Sequence, residues 1–490
     1  MKTSIPRLSL SVAVLATFLA PSPSALAQSG LPVASSLSST PSTIDRDAPR
    51  VNEIITRAED YLKKGKLNLD DRRPDQARAE FDKAVDTVLE SGMDVRSNPR
   101  LQDYYLRLIE NIFRMETSGQ QPAAGPSREQ VAIVNASATT TNDDVVAPPV
   151  GFLRDQKFEP SPLDELSKLE LNEEEKKVTD EDVAKLEEVK ATLDFRFTSN
   201  ALINQYLNYY QGRGRATMDT GLRRSGRYMS MARRIFREEG VPEDIAWLGQ
   251  VESAWRPTAH SWAAASGLWQ FIPSTGSRYG LRQTAWVDER NSFEKATRAS
   301  ARYLKWLANR YRGNWELAMG AYNTGEGNMD RAIARAGVAD FWAAYPYLHS
   351  ETRKYVPNIL ATILIAKSQE KYGFRNIRPD APLSYDVVRV PSATSLQFIA
   401  SATDTSVDFI RSINPELRRD TTPRGEAYDL RVPPGKGKTF VALLKRVPAE
   451  RRENARVVYI AQNEDLNAVS ERTGVSVAQL QQWNPGADLK

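Results

Sequence analysis

Residues 249–271 read GQVESAWRPTAHSWAAASGLWQF, a hydrophobic stretch that carries a single carboxyl group, that of Glu252. On a helix, Ile245, Leu248, Glu252 and Trp255 follow the i, i+3, i+7, i+10 spacing of one face, which places Glu252 on the apolar side. No lysine or arginine lies on that turn, so burial should raise the pKa of the carboxyl and keep it protonated near neutral pH. A protonated carboxyl suits a general acid. Because fully buried acids are rare, we favour this role over a purely structural one.

The residues that follow this acid are typical of a carbohydrate cleft. They combine flat aromatic faces, hydrogen-bonding side chains and a glycine that permits close backbone approach. These candidates are Trp255, Trp262, Trp269, Ser261, Gln270 and Gly267. Each alone is more often a packing residue. Their clustering beside one acid favours a binding site.

The N-terminus has the pattern of a secretory signal peptide over residues 1–27. Lys2 and Arg7 precede an apolar stretch at 8–20, and a small-residue cleavage pattern ends at Ala27. A membrane anchor is the alternative, but spanning a bilayer takes about 20 apolar residues, and this stretch is shorter and is followed by prolines. We therefore expect export.

The composition of the chain limits the classes of function that are expected. The chain has 490 residues, 41% of them hydrophobic and 26% charged, which predicts a soluble protein of several domains. Its net charge of +4 is too small to indicate nucleic acid as a partner. With no cysteine and two histidines, a disulfide framework, a cysteine-linked lipid anchor and a metal site are not expected. The absence of a GxSxG motif likewise disfavours Ser-His-Asp chemistry.

Changes in composition divide the first three quarters of the chain. After a flexible leader at 28–50, a helical region at 51–117 has spacing similar to one tetratricopeptide-type helix pair. A helical hairpin that packs on the rest of the protein is an equal alternative. A linker rich in proline and alanine is expected at 118–165. Helical patterns then define a domain at 166–376 with its core at 193–373.

The C-terminal region contains an internal repeat at an offset of 70 residues. The identical pairs are Leu396 and Leu466, Ser406 and Ser476, Val407 and Val477, Asn414 and Asn484, and Pro415 and Pro485. Each copy predicts a small βααβ module, one at 383–436 and one at 455–490. The second copy reaches Lys490 where its closing strand is expected to begin.

Four separated motifs carry a resemblance to a known family. ESAWRP, SWAAASGLWQFIPST, GAYNTGEGN and ETRKYV, in this order, resemble those of the soluble lytic transglycosylase family over about residues 193–373. The resemblance implies a mainly α fold: a goose-type lysozyme-like catalytic domain, an N-terminal helical region and small C-terminal βααβ modules of the LysM kind. It makes Glu252 the catalytic acid and base. The implied substrate-binding or supporting residues are Ser261, Gln270, Tyr322, Asn323 and Tyr355.

The same resemblance implies a function. The enzyme would cleave the β-1,4 bond between N-acetylmuramic acid and N-acetylglucosamine without water, leaving 1,6-anhydro ends and needing no cofactor. Peptidoglycan glycan strands would be its partner, with the LysM-like modules binding N-acetylglucosamine-containing glycan. The expected location is the periplasm or cell envelope, where the N-terminal helical region is available to envelope proteins.

Two alternatives to this function remain at the sequence level. One is a goose-lysozyme-like hydrolase in which a loop acid such as Asp288 positions a water, the second carboxyl that most glycosidases use. The other is a cell-wall-binding protein without catalytic activity. Retention of Glu252, Gln270 and Tyr322 together argues against the latter.

Overall fold

The computed structural model describes residues 13–17, 47–118 apart from 90, 94 and 96, 162–453, 455–460 and 464–484. The expected cleavage site, the leader up to residue 46 and the linker up to residue 161 lie outside these residues. The chain forms two compact units. One is Pro49–Leu383, and the other combines Ser384–Lys490 with the N-terminal residues Met1–Ala48. The finer domain boundaries stay predictions.

The described residues of the first unit form mainly helices. Its α-helices are α1 (Ala48–Asp70), α2 (Pro74–Leu89), α3 (Pro99–Ser118), α4 (Pro162–Lys168), α5 (Glu173–Lys176), α6 (Asp180–Lys190), α7 (Ala201–Gln211), α8 (Arg215–Ser225), α9 (Met229–Glu239), α10 (Leu248–Ser253), α11 (Pro273–Arg278), α12 (Phe293–Arg310), α13 (Trp315–Thr324), α14 (Glu326–Ala336), α15 (Phe341–Ala344) and α16 (Ser350–Lys367). The expected mainly α fold is confirmed.

Two helices at the centre of this unit are buried on nearly every side. In α16 the residues from Tyr355 to Ile365 are buried in succession, and in α13 the same holds from Glu316 to Ala321. A helix that is apolar all round belongs inside a protein. Asn314 caps the start of α13 by accepting a hydrogen bond from the N–H of Leu317. The two helices therefore form a rigid frame for the side chains at their ends.

Helices α1 to α3 pack on this helical core. The buried residues of α3 recur at spacings of three and four, as in an amphipathic helix. They form an apolar cluster with α1 and α2, and Ala264 is buried in the same cluster. The O–H of Tyr105 on α3 donates a hydrogen bond to the carbonyl of Ala263 at 3.3 Å. The N-terminal helices and the loop that follows Glu252 thus share one core.

Within its described residues, the second unit contains two small two-stranded sheets. Its elements are β1 (Ala13–Thr17), β2 (Asp386–Val390), α17 (Leu396–Ala402), α18 (Val407–Ile413), β3 (Tyr428–Val432), α19 (Gly437–Arg446), β4 (Ala455–Tyr459), α20 (Leu466–Thr473) and α21 (Val477–Trp483). Strands β2 and β3 are antiparallel, with Val388 opposite Leu430, and α17 and α18 lie between them in the chain. This is the expected βααβ arrangement. Strand β4 pairs with β1, again antiparallel.

The asparagine of the repeat has a structural role in the first module. The side-chain amide of Asn414 donates to the carbonyls of Ile410 at 2.9 Å and Arg431 at 2.8 Å. Its oxygen accepts from the N–H of Arg431 at 2.8 Å. The side chain therefore joins the end of α18 to β3.

Among the helices of the described residues, none combines the length and the apolar character that a membrane crossing requires.

Candidate active site

Glu252 lies on the last turn of α10 and is 2% exposed, as the sequence predicts. The prediction of one continuous helix from Ile245 to Trp255 is wrong. A 3-10 helix at Glu243–Trp247 precedes α10, and the helix ends at Ser253 because Ala254 and Trp255 have positive φ angles of 48° and 59°. Trp255 consequently reaches the core from a turn.

A tyrosine holds the carboxyl of Glu252. The O–H of Tyr355, on the buried helix α16, donates a hydrogen bond to Oε1 of Glu252. The pKa of Glu252 is raised to about 8. Burial is the largest cause of this rise, the negative charge of Glu351 adds to it, and the Tyr355 hydrogen bond opposes it. Among the described residues no lysine or arginine forms an ion pair with Glu252. The acid is therefore largely protonated at neutral pH, which is the state a proton donor needs.

The loop that follows α10 is fastened by a buried arginine. Arg290 is 0% exposed and binds both carboxylate oxygens of Asp288, at 2.9 and 2.7 Å. Its Nη1 also donates to the carbonyls of Ala264 at 2.7 Å and Phe271 at 2.9 Å. The start and end of the 264–271 segment are thus tied to one guanidinium group, which fixes the polar side chains that the segment carries.

Gly267 permits the close backbone approach that the sequence suggested. It has a φ of +88°, and a Cβ at this position would lie 2.0 Å from the carbonyl oxygen of Arg290. No other residue fits there without moving the backbone. Packing of the loop against Arg290 therefore depends on glycine.

The side chain of Gln270 has one hydrogen-bond acceptor that the described residues leave without a donor. Its Nε2 donates to the carbonyls of Ala259 at 3.1 Å and Gly267 at 2.8 Å. Its Oε1 is buried and has no hydrogen-bond partner among the described residues. Gln270 also has a positive φ of 47°, a costly conformation for a non-glycine residue. A strained residue with an unpaired acceptor is what a binding site for a hydroxyl or N–H donor would show.

Tyr322 and Asn323 extend from the C-terminal end of α13. The O–H of Tyr322 donates to the carbonyl of Trp269 at 2.9 Å. The amide of Asn323 donates to Oε1 of Glu351 at 2.9 Å and accepts from the hydroxyl of Thr352 at 2.7 Å. Both side chains are therefore held in place before any ligand binds.

The structure separates the three tryptophans that the sequence suggested as sugar platforms. Trp255 and Trp269 are fully buried, and Nε1 of Trp269 donates to the hydroxyl of Thr297 at 2.8 Å. Both pack in the core and offer no face to a sugar. Trp262 is half-buried, with its ring centroid 5.7 Å from that of Tyr105 on α3. It alone of the three lines the cavity beside Glu252.

One cavity of about 290 Å³ brings most of the predicted residues together. Its lining includes Glu252, Ser261, Gln270, Tyr322 and Asn323. Tyr355 is not on the lining but reaches the site through its hydrogen bond to Glu252.

Part of the lining was not foreseen. The residues outside the sequence prediction include Glu351 and members of α2 and α3, among them Phe81, Asp82, Val85, Tyr105, Ile112 and Glu116. Glu351 belongs to the ETRKYV motif and could have been found there. The α2 and α3 residues lie more than 130 positions before Glu252, and no local pattern links them to it.

Asp288, the loop acid of the alternative hydrolase hypothesis, is bound to Arg290 and does not face the cavity. Asp288 is buried, and both of its carboxylate oxygens accept hydrogen bonds from Arg290. It is not among the residues that line the cavity. A water-activating role for Asp288 therefore has no support in the geometry.

Sequence comparison assigns this geometry to a class. Residues 231–344, which contain Glu252 and the lining residues of α13, match the family described as Transglycosylase SLT domain. Residues 384–449 match the family described as Lytic transglycosylase MltD, LysM-like domain. These two stretches are thus similar to an SLT-type transglycosylase domain and to a LysM-like domain, and the resemblance found in the motifs is confirmed.

Individual relatives agree with this class. The chain is 33% identical over 270 residues to membrane-bound lytic murein transglycosylase D of Escherichia coli K12, covering 52% of this chain and 59% of that protein. It is 32% identical over 121 residues to a putative soluble lytic murein transglycosylase of Haemophilus influenzae, covering 23% of this chain and 20% of that protein. Peptidoglycan transglycosylase gp16 of phage T7 is 33% identical over 136 residues, 28% of this chain and 10% of the phage protein. The chain spans about three fifths of the length of the Escherichia coli relative.

Proposed function

We propose that this protein is a peptidoglycan lytic transglycosylase with Glu252 as its acid and base. The observation that carries the proposal is a buried carboxyl with a pKa of about 8, hydrogen-bonded by Tyr355 and facing a cavity of about 290 Å³. The match of residues 231–344 to the transglycosylase SLT family supports the same activity.

In the first half of the reaction, protonated Glu252 gives its proton to the glycosidic oxygen between N-acetylmuramic acid and N-acetylglucosamine. The C1–O bond breaks, and positive charge develops at C1 of the muramoyl residue. The acetamido group of the same sugar stabilises this charge from within the substrate. No second carboxylate of the protein is needed as a nucleophile.

In the second half, the Glu252 carboxylate removes the proton of the C6 hydroxyl. That oxygen then bonds to C1, which closes the 1,6-anhydro ring and returns Glu252 to its protonated form. Water is neither consumed nor released. A carboxyl with a pKa near the working pH can serve both proton transfers, because either protonation state is accessible.

The products test this mechanism. Peptidoglycan digested by the full chain in water enriched with ¹⁸O should release muropeptides with 1,6-anhydro ends, detected by mass spectrometry. These products should lack ¹⁸O, because no water is added in the reaction. Reducing ends that carry one ¹⁸O atom would instead identify a hydrolase and reject the proposed transfer to the C6 hydroxyl.

We further propose that residues 384–449 hold the enzyme on its polymeric substrate. Their family match and the βααβ arrangement of β2, α17, α18 and β3 support binding to N-acetylglucosamine-containing glycan. Linked binding of this kind raises the local concentration of the active site at an insoluble polymer. Purified sacculi should sediment the full chain more strongly than a chain that ends at Pro382, and equal sedimentation would contradict this role.

The cell envelope is the proposed location. The N-terminal signal-peptide pattern supports export to the periplasm, where peptidoglycan lies. The Escherichia coli relative is named as membrane-bound.

A further inference from the structure

The cavity beside Glu252 has walls from two distant parts of the sequence. One wall is the transglycosylase domain itself. The other is formed by α2 and α3, which contribute Asp82, Val85 and Tyr105 to the lining. These helices precede residue 231, where the match to the transglycosylase family begins. The second wall is therefore a feature of this chain that the family match does not cover.

Specific contacts fix the second wall in place. On α3, Tyr105 donates its hydroxyl to the carbonyl of Ala263 and packs against Trp262. On α2, the carboxylate of Asp86 pairs with Arg331 of α14 at 3.0 Å. Contacts at both helices hold the wall against the transglycosylase domain, so its position relative to Glu252 is defined.

The acids of this wall differ in their partners. Asp86 is paired with Arg331, and Glu116 lies 3.9 Å from both Arg78 and Arg278. Asp82 is half-buried, lines the cavity and has neither a hydrogen bond nor a close ion pair among the described residues. A carboxyl that faces a cavity without a hydrogen bond from the protein keeps its hydrogen-bonding capacity for a ligand that enters the cavity.

The protonation state of Asp82 suits a neutral ligand. Burial raises its pKa to about 7, Arg278 opposes this shift, and the charges of Glu326, Asp86 and Glu116 add to it. Near neutral pH the carboxyl is present in both forms, so it can donate to a hydroxyl oxygen or accept from an O–H or N–H. Tyr105 and Val85 add apolar surface beside it, as a sugar ring requires.

We propose that α2 and α3 form the second wall of the glycan-binding cleft and that Asp82 binds an amino-sugar residue of the strand through its hydroxyl or acetamido groups. This inference rests on the proposed function. Asp82 acts in binding and not in the bond-breaking step, because the proton donor is Glu252, which Tyr355 holds on the opposite wall. The N-terminal helical region thereby becomes part of the substrate site.

Binding to an inactive full-length chain tests this assignment. In a Glu252→Gln background, isothermal titration calorimetry with uncrosslinked glycan strands freed of their peptides gives Kd without turnover. Asp82→Ala should weaken binding about tenfold, the loss expected when one hydrogen bond is removed. Asp82→Asn should weaken it less, because an amide can still donate and accept. The matched control Asp75→Asn changes an exposed acid on the first turn of the same helix and should leave Kd unchanged.

The active chain provides a second readout. Asp82→Ala should raise KM while kcat stays close to that of the parent, which a general loss of folded protein would not produce. An unchanged Kd and KM in both Asp82 variants overturns the proposal. So does a loss of affinity seen only with strands that keep their peptides, because the ligand of Asp82 would then be peptide.

Failure of the proposed function would look different. In that case the parent chain would release no 1,6-anhydro ends, whatever the residue at position 82. Normal anhydro products together with an Asp82→Ala variant of parental affinity and KM would instead reject only the second-wall assignment.

Discussion

Glu252→Gln is expected to lower the release of anhydro-muropeptides at least about 10³-fold, since one side chain is responsible for both proton transfers. Glutamine has nearly the same shape, and its oxygen can still accept the Tyr355 hydrogen bond, so the fold should persist. The measurement is the initial rate of soluble product release from purified peptidoglycan, with circular dichroism to confirm folding. A variant with parental activity would remove Glu252 from the mechanism.

Tyr355→Phe is the matched control for this loss, because it removes the partner and keeps the acid. The Tyr355 hydrogen bond lowers the pKa of Glu252, so its removal should raise that pKa further above its ordinary value. The limb of the pH–rate profile on which activity is lost as Glu252 loses its proton should therefore move to higher pH. Activity should fall less than in Glu252→Gln. An unmoved alkaline limb would assign that limb to another group.

Arg290→Met should destabilise the protein by about 3–5 kcal/mol, because it leaves the carboxylate of Asp288 buried without its partner. It also removes the donors that hold the carbonyls of Ala264 and Phe271. Denaturant unfolding of the full chain measures the loss of stability. Activity should fall as well, since the loop carrying Gln270 loses its anchor.

Two comparisons separate this effect from a general loss of a salt bridge. Adding Asp288→Asn to Arg290→Met removes the stranded charge and should recover part of the lost stability. Arg389→Met breaks the exposed pair of Arg389 with Asp429, 2.9 Å apart, and should change stability by about 1 kcal/mol or less. Equal losses in the buried and exposed variants would contradict the anchoring role of Arg290.

Local patterns in the sequence were sufficient to predict that Glu252 is buried and to find most of the residues around it. Glu252 stood out because its spacing put a carboxyl on an apolar face, and its burial follows from that. Ser261, Gln270, Tyr322 and Asn323 were reached through motifs, and all four line one cavity. The βααβ module followed from a repeat whose asparagine is structural.

The errors arose where tertiary contacts override local periodicity. Helical spacing extended through Trp255, but the chain leaves the helix after Ser253, whose hydroxyl donates to the carbonyl of Leu268 at 2.9 Å. Aromatic clustering suggested three sugar platforms, yet burial of Trp269 in the core removes it from the cavity. The second wall depends on packing between segments far apart in the chain, which no spacing rule within one segment can predict.

The raised pKa of Glu252 also has a thermodynamic consequence for folding. The folded chain keeps this proton up to about pH 8, whereas an unfolded glutamate releases it near pH 4.5. Between these values the folded state binds more protons, so stability falls as pH rises through that window. At pH 7 this lowers the free energy of unfolding by an amount on the order of 3 kcal/mol, a large fraction of the stability of an ordinary domain.

The Glu252→Gln chain should accordingly melt at a higher temperature than the parent, by a margin that widens from pH 5 to pH 8. The packing of the helices around Glu252 thus offsets the loss of folding stability that its raised pKa causes.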